Sequence, residues 1–301
     1  MSAVAWRGGI PWSRAAHVRD YLALLKPRVV LLVLFTAAVA CVDAARGAPS
    51  GAVIAGLLIS GALSAGGVAA LNHYVDRDID GRMARTRRRP LVAGRIERPG
   101  LVLAGGVGLT AAGLALAAWV SPLLASFELV GAFTYGVVYT MWLKRRTSLN
   151  VVVGGAAGSA AVLGGWAAAQ PSLGLAPWLL AAVVFLWTPA HFWSLALART
   201  DDYARAGVPM LSVVAGPRTT ARWVVVHILG SLAATAWFGV VDGRGPIYLA
   251  TASVAGLWFL AVGLRVLRRP DAAASWRAFK VSGAYLGLVF LGLLVDVLTM
   301  G

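Results

Sequence analysis

The chain has 301 residues, of which 59% are hydrophobic and only 13% are charged, and its formal net charge is +15. A soluble domain carries about twice that charged fraction, so the composition excludes an ordinary soluble protein. The positive charge does not indicate nucleic-acid binding either, because the basic residues lie in short loops between apolar runs, as the positive-inside rule expects of a membrane protein.

Residues 1–25 are mixed polar and basic and lack the apolar core of a cleaved signal peptide. We expect a cytoplasmic or interfacial segment there, and a disordered basic start explains the same residues about equally well. Residues 26–301 contain no long polar stretch, which predicts one domain. A helix needs about 20 apolar residues to cross a bilayer. The predicted spans are 28–45, 52–75, 101–120, 122–143, 150–168, 176–197, 220–241, 246–267 and 281–299, which together predict an all-α integral membrane protein with nine transmembrane helices.

The loops between these spans alternate between two faces of the membrane. Of the 27 lysines and arginines, all but Arg46 and Arg244 fall on the face that holds the N-terminus. This asymmetry predicts a plasma or inner membrane protein whose N-terminus is cytoplasmic and whose C-terminus is outside. Small-residue stretches such as GALSAGG and GGAAGSAA let helices approach closely, which favours a compact bundle.

The second span ends in a cluster of polar side chains. Asn72, Asp76 and Asp80 are four residues apart, which places them on one face of a helix. The helix dipole disfavours each carboxylate at a C-terminus by about 0.3–1 kcal/mol. A cation would relieve this, and oxygen ligands suit Mg²⁺, which completes its shell with water and substrate phosphates. A solvated loop with neutralising ion pairs explains the same residues about equally well.

A second acidic pair favours the metal interpretation. The sixth predicted span also runs inward and is followed by Asp201 and Asp202, at the same depth as the first cluster. Two acidic helix ends that face one another across a cavity are suited to holding metal ions around a diphosphate. The apolar bundle beside them would hold a hydrocarbon tail, so the residues predict a site for an isoprenyl diphosphate.

On these residues the sequence resembles the intramembrane prenyltransferase superfamily, whose first motif, N-x-x-x-D-x-x-x-D, is matched by Asn72, Asp76 and Asp80. Within it, four stretches resemble the protoheme IX farnesyltransferase family: DRDIDGRMARTRRRPLVAGRI, WLKRRT, WTPAHFWSLAL and DDYARAGVPML. The resemblance covers the chain from about residue 20 onward. Asp202, Tyr203 and Arg205 match the family's second motif.

The resemblance implies a nine-helix bundle around a central cavity that uses Mg²⁺ to transfer farnesyl from farnesyl diphosphate to a vinyl group of heme b, giving heme O for terminal oxidases. Heme A synthase or cytochrome oxidase assembly are the protein partners it implies. We expect Asn72, Asp76, Asp80 and Asp202 to be catalytic. The expected metal ligands are Asp76, Asp80, Asp201 and Asp202.

Basic and aromatic residues complete the predicted site. The residues expected to bind diphosphate are Arg85, Arg89, Lys144, Arg145 and Arg205. The allylic cation left by a departing diphosphate favours aromatic faces. The residues expected to line the acceptor and prenyl pocket are Tyr139, His191, Trp193 and Tyr203. Each aromatic can instead be an interfacial belt residue, and His191 can be a packing residue rather than a ligand that binds or orients heme.

Two other functions remain open at this point. One is prenyl transfer to a quinone precursor or another aromatic acceptor, within the same superfamily. The other is a secondary transporter, although transporters bind their cargo near the midplane of the membrane on broken helices. Here the charges gather at one face, which favours an enzyme.

The sequence departs from the family pattern at several prolines. Ser148, Ala161, Val162, Ala190 and Ser212 stand where proline is common in the family. Proline removes a helix hydrogen bond and bends the helix. Their replacement predicts straighter fifth and sixth spans and a changed pocket width, with the diphosphate motif intact.

Overall fold

The structure is a computed structural model that describes residues 18–300. Within these residues nine helices are long and apolar enough to cross a membrane, which confirms the predicted fold class. We number them α1 to α9 and leave the short connecting helices unnumbered. They are α1 (Pro27–Ala44), α2 (Gly51–Val75), α3 (Pro99–Val120), α4 (Pro122–Arg145), α5 (Asn150–Ala169), α6 (Leu175–Ala198), α7 (Gly216–Val241), α8 (Pro246–Arg268) and α9 (Ala272–Met300).

Three helices differ from the prediction in ways that follow from local chemistry. Helix α9 begins nine residues before the predicted start, because Asp271 Oδ1 caps the helix by accepting from Ala274 N at 2.7 Å. Its first turns contain polar residues, so they fall outside the apolar span predicted from the sequence. Helix α4 changes from α to π geometry over Thr134–Trp142, and α5 is interrupted at Gly155.

The predicted N-terminal segment is only partly described, because residues 1–17 lie outside the described residues. A short helix, Val18–Leu24, precedes α1. Leu24 is buried against Ala70, Ile96 and Val102, so this helix packs on the start of α3 and the end of α2. The division into a segment 1–25 and a bundle 26–301 stays a prediction.

The helices form a closed ring. Helix α1 packs against α2 and α5, the chain continues through neighbouring pairs from α2 to α9, and α9 returns to contact α6 and α1. Glycine permits the closest of these contacts. A methyl group on Gly165 of α5 would overlap the backbone of Ala37 on α1, and one on Gly113 of α3 would lie 2.6 Å from the backbone nitrogen of Ser64 on α2.

Within the ring lies a cavity of about 360 Å³, lined mainly by apolar residues of α1, α2, α4, α5 and α6. A large part of the core is formed by buried side chains of α6 to α9, where Phe238, Phe259, Tyr285 and Phe290 are fully enclosed. The ring therefore places an apolar space directly beside the end of α2, where the predicted motif lies.

Candidate active site

Asn72 is the centre of a hydrogen-bond network at the end of α2. Its Nδ2 donates to Asp76 Oδ2 at 2.7 Å and to Thr140 Oγ1 at 3.0 Å. Its Oδ1 accepts from the ammonium group of Lys26. Because an amide offers two N–H donors and one carbonyl oxygen, the side chain is fully engaged. Asn72 therefore orients its neighbours, and its oxygen is already occupied by a cation.

Asp76 is the most deeply buried carboxylate of the motif. It caps α2, where its backbone N–H donates to Asn72 O at 2.9 Å, and its side chain is fully inaccessible to solvent. Oδ2 forms an ion pair with Lys144. Oδ1 has no hydrogen bond, and the nearest guanidinium nitrogen, on Arg145, is 3.9 Å away. One oxygen thus remains able to accept a ligand.

Asp80 occupies the next turn, in the short helix Arg77–Asp80. It is buried and accepts a hydrogen bond from Arg89 Nη1 at Oδ2. Its carbonyl oxygen accepts from Thr86 Oγ1 at 2.8 Å, which folds the following loop back over the cluster. The helix ends at Asp80, and Gly81 follows as its C-cap.

Asp78 points away from the motif, as the spacing predicts. It is exposed and forms two hydrogen bonds with Arg145, each of 2.7 Å. This hydrogen bonding is the main reason that the pKa of Asp78 is lowered. Arg145 also donates to Val75 O at 3.1 Å, so it closes the C-terminus of α2. Its predicted role in diphosphate binding would require it to exchange these contacts.

The second acidic cluster reaches the first through the loop that follows Asp80. Asp202, buried on the short helix Thr200–Arg205, accepts at Oδ1 from Ala84 N at 3.2 Å and forms an ion pair with Arg205. Asp201 is exposed. The structure thus brings Asp202 to the loop that carries the predicted arginines, and leaves Asp201 outside that contact.

Aromatic side chains form one wall of this region. The π-helical turn of α4 presents Tyr135 and Tyr139, whose rings stack 5.8 Å apart. Lys144 Nζ lies 5.9 Å from the Tyr139 ring. Tyr203 is buried beside Arg85. Burial raises the pKa of Tyr203, and the nearby Arg85 guanidinium opposes the rise.

Lys26 lies where the polar cluster meets the cavity. It precedes α1 in a left-handed conformation with φ 49°, which is costly for a non-glycine residue. Its Nζ donates to Asn72 Oδ1 and, at 2.8 Å, to Tyr135 Oη. Burial, together with the charges of Arg89 and Lys144, holds the pKa of Lys26 well below its usual value. Lys26 and Tyr135 both line the cavity, so they form its polar neck.

His191 lines the cavity further along α6. Its ring stacks on Trp187 at 4.5 Å between centroids, and its Nδ1 lies 2.6 Å from Ser282 Oγ. Ser282 donates its hydroxyl hydrogen to Phe279 O. The serine oxygen therefore accepts from Nδ1, which leaves the lone pair on Nε2.

Trp193 occupies a different environment from the other predicted pocket residues. It is buried, and its ring meets the edge of His227 at 5.0 Å. The residues that line the cavity do not include it. It lies two positions from His191 on α6, and that separation turns its side chain away from His191's face of the helix.

The sequence alone did not predict three residues of this site, which are Lys26, Tyr135 and Thr140. A lysine before the first span reads as an ordinary positive-inside residue, and a tyrosine or threonine near a helix end carries no distinctive signal. Glu128 lies deeper in the cavity wall, where it accepts from Ser60 Oγ at 2.6 Å and Ser64 Oγ at 2.7 Å.

The carboxylates fit a divalent cation shared with a substrate. Among residues 18–300, no three His, Cys, Asp or Glu side chains form a metal-binding group of their own. Mg²⁺ does not need one, because it is usually held by one or two carboxylates with waters and substrate phosphates. The buried and unsatisfied Oδ1 of Asp76 is an oxygen donor of the required kind.

This arrangement of a buried Asn/Asp motif, basic loops and an adjoining apolar cavity is that of an intramembrane prenyltransferase. The chain belongs to the UbiA prenyltransferase family, whose family model matches residues 33–292. The family comprises enzymes, so the transporter alternative is set aside.

The relatives are more specific. The protoheme IX farnesyltransferase of Alkalilimnicola ehrlichii is 46% identical over 282 residues, which is 93% of both chains. That of Symbiobacterium thermophilum is 44% identical and covers 93% of this chain and 94% of its own. The predicted resemblance is therefore confirmed. A UbiA homologue from Archaeoglobus fulgidus, solved with GPP and Mg²⁺, shares the fold with a TM-score of 0.66 at 18% identity, over 91% of this chain and 99% of its own.

Proposed function

We propose that this prenyltransferase transfers a farnesyl group from farnesyl diphosphate to a vinyl group of heme b. The observation that carries the proposal is the continuity between the buried motif and the cavity at Lys26 and Tyr135. The polar motif would hold the anionic head of a substrate, and the apolar cavity would hold its hydrocarbon tail. The relatives named protoheme IX farnesyltransferase supply the acceptor and the donor.

Mg²⁺ would be held by Asp76 and Asp80, with Asp202 reaching the same loop from the second cluster. Bound there, the ion would stabilise the negative charge that develops on the leaving diphosphate. A homologue of the same fold was solved with GPP and Mg²⁺, which supports the use of Mg²⁺ with a prenyl diphosphate. The exposed Asp201 is the weakest candidate ligand of the four.

The basic residues would bind the diphosphate oxygens. Lys144, Arg89 and Arg205 each pair with a motif carboxylate in the structure. A cation at those carboxylates would compete for them and release the basic side chains toward phosphate. Arg85, beside Tyr203, and Arg145, above α2, lie at the margins of the same cluster.

Lys26 and Tyr135, the polar neck of the cavity, would act where the bond between farnesyl and diphosphate breaks. Lys26 uses two of its three N–H donors on Asn72 and Tyr135, so the third can reach a substrate oxygen as negative charge develops on it. The stacked rings of Tyr135 and Tyr139 can stabilise the allylic cation. The vinyl group is itself the nucleophile, so this step needs no strong base, and water completes the addition.

The acceptor would lie toward α6. His191 places an imidazole in the cavity wall, with its lone pair on Nε2. It could bind the heme iron or orient the heme. We further propose that the protein lies in the plasma or inner membrane with the motif end in the cytoplasm and the C-terminus outside, because the positive charges favour that orientation. Heme A synthase or the assembly of cytochrome oxidase would then receive the product.

A competition assay tests the acceptor and the donor together. The purified protein is given heme b and a quinone precursor, with farnesyl or longer prenyl diphosphates, and the products are identified by mass spectrometry. We expect farnesylated heme. Preference for the quinone precursor would overturn the acceptor and leave the prenyltransferase intact. It would also favour the changed pocket width that we predict from Ala190 and the other residues that stand where the family commonly has proline.

A further inference from the structure

The acceptor must keep its acid groups out of the apolar cavity. Heme b carries its two carboxylates on one edge of the ring and its vinyl groups on the opposite edge. A carboxylate without partners in an apolar cavity is strongly disfavoured, whereas a vinyl group is not. The acid edge therefore has to remain at the membrane boundary while a vinyl group reaches the neck at Lys26 and Tyr135.

The cations of the motif are poorly placed to receive those acid groups, because most of them already have partners. Lys144, Arg89, Arg205 and Arg145 all form ion pairs with aspartates. They are also the residues that the diphosphate requires.

A second group of cations lies where α8 ends and α9 begins. Arg265, Arg277 and Lys280 line a pocket of about 320 Å³. Across the part of the chain that the structure describes, none of these three forms an ion pair. The acid that shares the pocket, Asp271, is engaged in capping α9 through Ala274 N. The pocket thus has an excess of positive charge.

Aromatic rings connect this pocket to the cavity. Trp276, in the pocket wall, stacks on Phe279 at 5.1 Å. Phe279 lies 4.4 Å from His191, and His191 stacks on Trp187, both of which line the cavity. The Arg199 guanidinium, 5.4 Å from the Trp276 ring, shows that the start of α9 lies beside the end of α6. These packed rings link the pocket at the start of α9 to the wall of the cavity.

We infer that the pocket of Arg265, Arg277 and Lys280 binds the carboxylates of the acceptor, with its ring against Phe279 and His191 and its reactive edge in the cavity. This inference rests on the proposed function and adds to it an acceptor-binding site that is separate from the diphosphate site. The pocket sets which acceptors bind, because an acceptor of similar shape without acid groups gains nothing from it.

The test compares heme b with its dimethyl ester. Binding of each to the full-length protein, in detergent without anionic lipid, is followed by quenching of tryptophan fluorescence. We expect the double variant Arg277→Gln/Lys280→Gln to bind heme b about tenfold more weakly than the wild type, since each exposed charge pair contributes modestly. Its affinity for the dimethyl ester and its KM for farnesyl diphosphate should match those of the wild type. The charge-matched control Arg218→Gln/Arg222→Gln, with exposed arginines on α7, should behave as the wild type.

Two results would overturn the inference. One is unchanged affinity of the double variant for heme b; if that variant also carries less co-purified phosphatidylglycerol than the wild type, the pocket belongs to a lipid headgroup. The other is equal weakening for heme b and its ester, which would indicate lost packing rather than lost charge recognition. Failure of the proposed function looks different, because the wild type itself would then neither bind nor convert heme b.

Discussion

The two ends of the bundle both bury charged side chains, but they differ in balance and surroundings. At the end away from the motif, Asp43, Arg46, Asp242 and Arg244 form what we call the far-end cluster. Arg244 lies 3.1 Å from Asp43 and 2.9 Å from Asp242, and Arg46 lies 3.1 Å from Asp242. Two acids and two bases neutralise one another there.

The motif cluster, by which we mean Asn72, Asp76, Asp80, Asp202 and their basic partners, is not balanced. Each buried carboxylate has a basic partner, and Lys26 and Arg85 are present in addition. It also borders the cavity at Lys26, whereas the residues that line the cavity include none of the far-end cluster. A buried ion pair alone is thus poor evidence for a site; surplus charge beside an apolar space is better evidence.

The largest expected effect separates the two clusters directly. Asp76→Asn keeps the shape of the side chain and removes its charge, so turnover should fall on the order of 10²- to 10³-fold, the size expected when a group that stabilises developing charge is lost. Product formation from farnesyl diphosphate and heme b is measured per folded molecule, because loss of the buried Asp76–Lys144 ion pair should also lower the thermal stability. Excess chelator on the wild type should reproduce the loss. Normal turnover in either case would remove Asp76 from the metal site.

Asp43→Asn should leave turnover intact. It removes one acid from the far-end cluster, but Arg244 keeps Asp242 as a partner at 2.9 Å, so we expect the free energy of unfolding to fall by only about 1–3 kcal/mol. Unfolding by added SDS in mixed micelles measures this, and turnover per folded molecule should equal that of the wild type. A variant as stable as the wild type but inactive would show that the far-end cluster has a catalytic role.

Substitution of Lys26 tests whether this residue contributes to the function of the motif cluster. Lys26→Met removes a charged hydrogen-bond donor from the neck, so kcat/KM for farnesyl diphosphate should fall about 10- to 100-fold. Lys26→Arg should restore part of the loss, because it keeps the charge. Arg19→Met, at an exposed position in the helix before α1, is the matched control. If both methionine variants behave alike, Lys26 contributes no more than surface charge.

The smallest effect is expected at Glu128. Ser60 and Ser64 can each return to a carbonyl of their own helix, Leu57 O at 3.2 Å and Gly61 O at 3.5 Å. Glu128→Leu should therefore change stability by about 1 kcal/mol or less. Turnover with farnesyl diphosphate should stay within about threefold of the wild type. A loss as large as that of Asp76→Asn would place this intramembrane acid in the catalytic machinery.

The architecture was predictable because local composition distinguishes the apolar spans from the polar loops. Twenty apolar residues define a span, and four-residue spacing puts Asn72, Asp76 and Asp80 on one face. Two irregularities were not predictable. These are the π-helical turn of α4 and the break of α5 at Gly155, where α5 lies so close to α6 that a methyl group would be 3.2 Å from Phe185 O.

The sequence by itself determined the fold class, the nine spans and the motif that marks a prenyltransferase, because these depend on residues close together in the chain. Only the tertiary structure decided which partners complete the motif. Lys26 reaches Asn72 across 46 positions, Asn72 reaches Thr140 across 68, and Lys26 reaches Tyr135 across 109. Tertiary packing also paired Arg145 with Asp78. Contacts over such distances depend on how the ring of helices closes, and no local pattern encodes that.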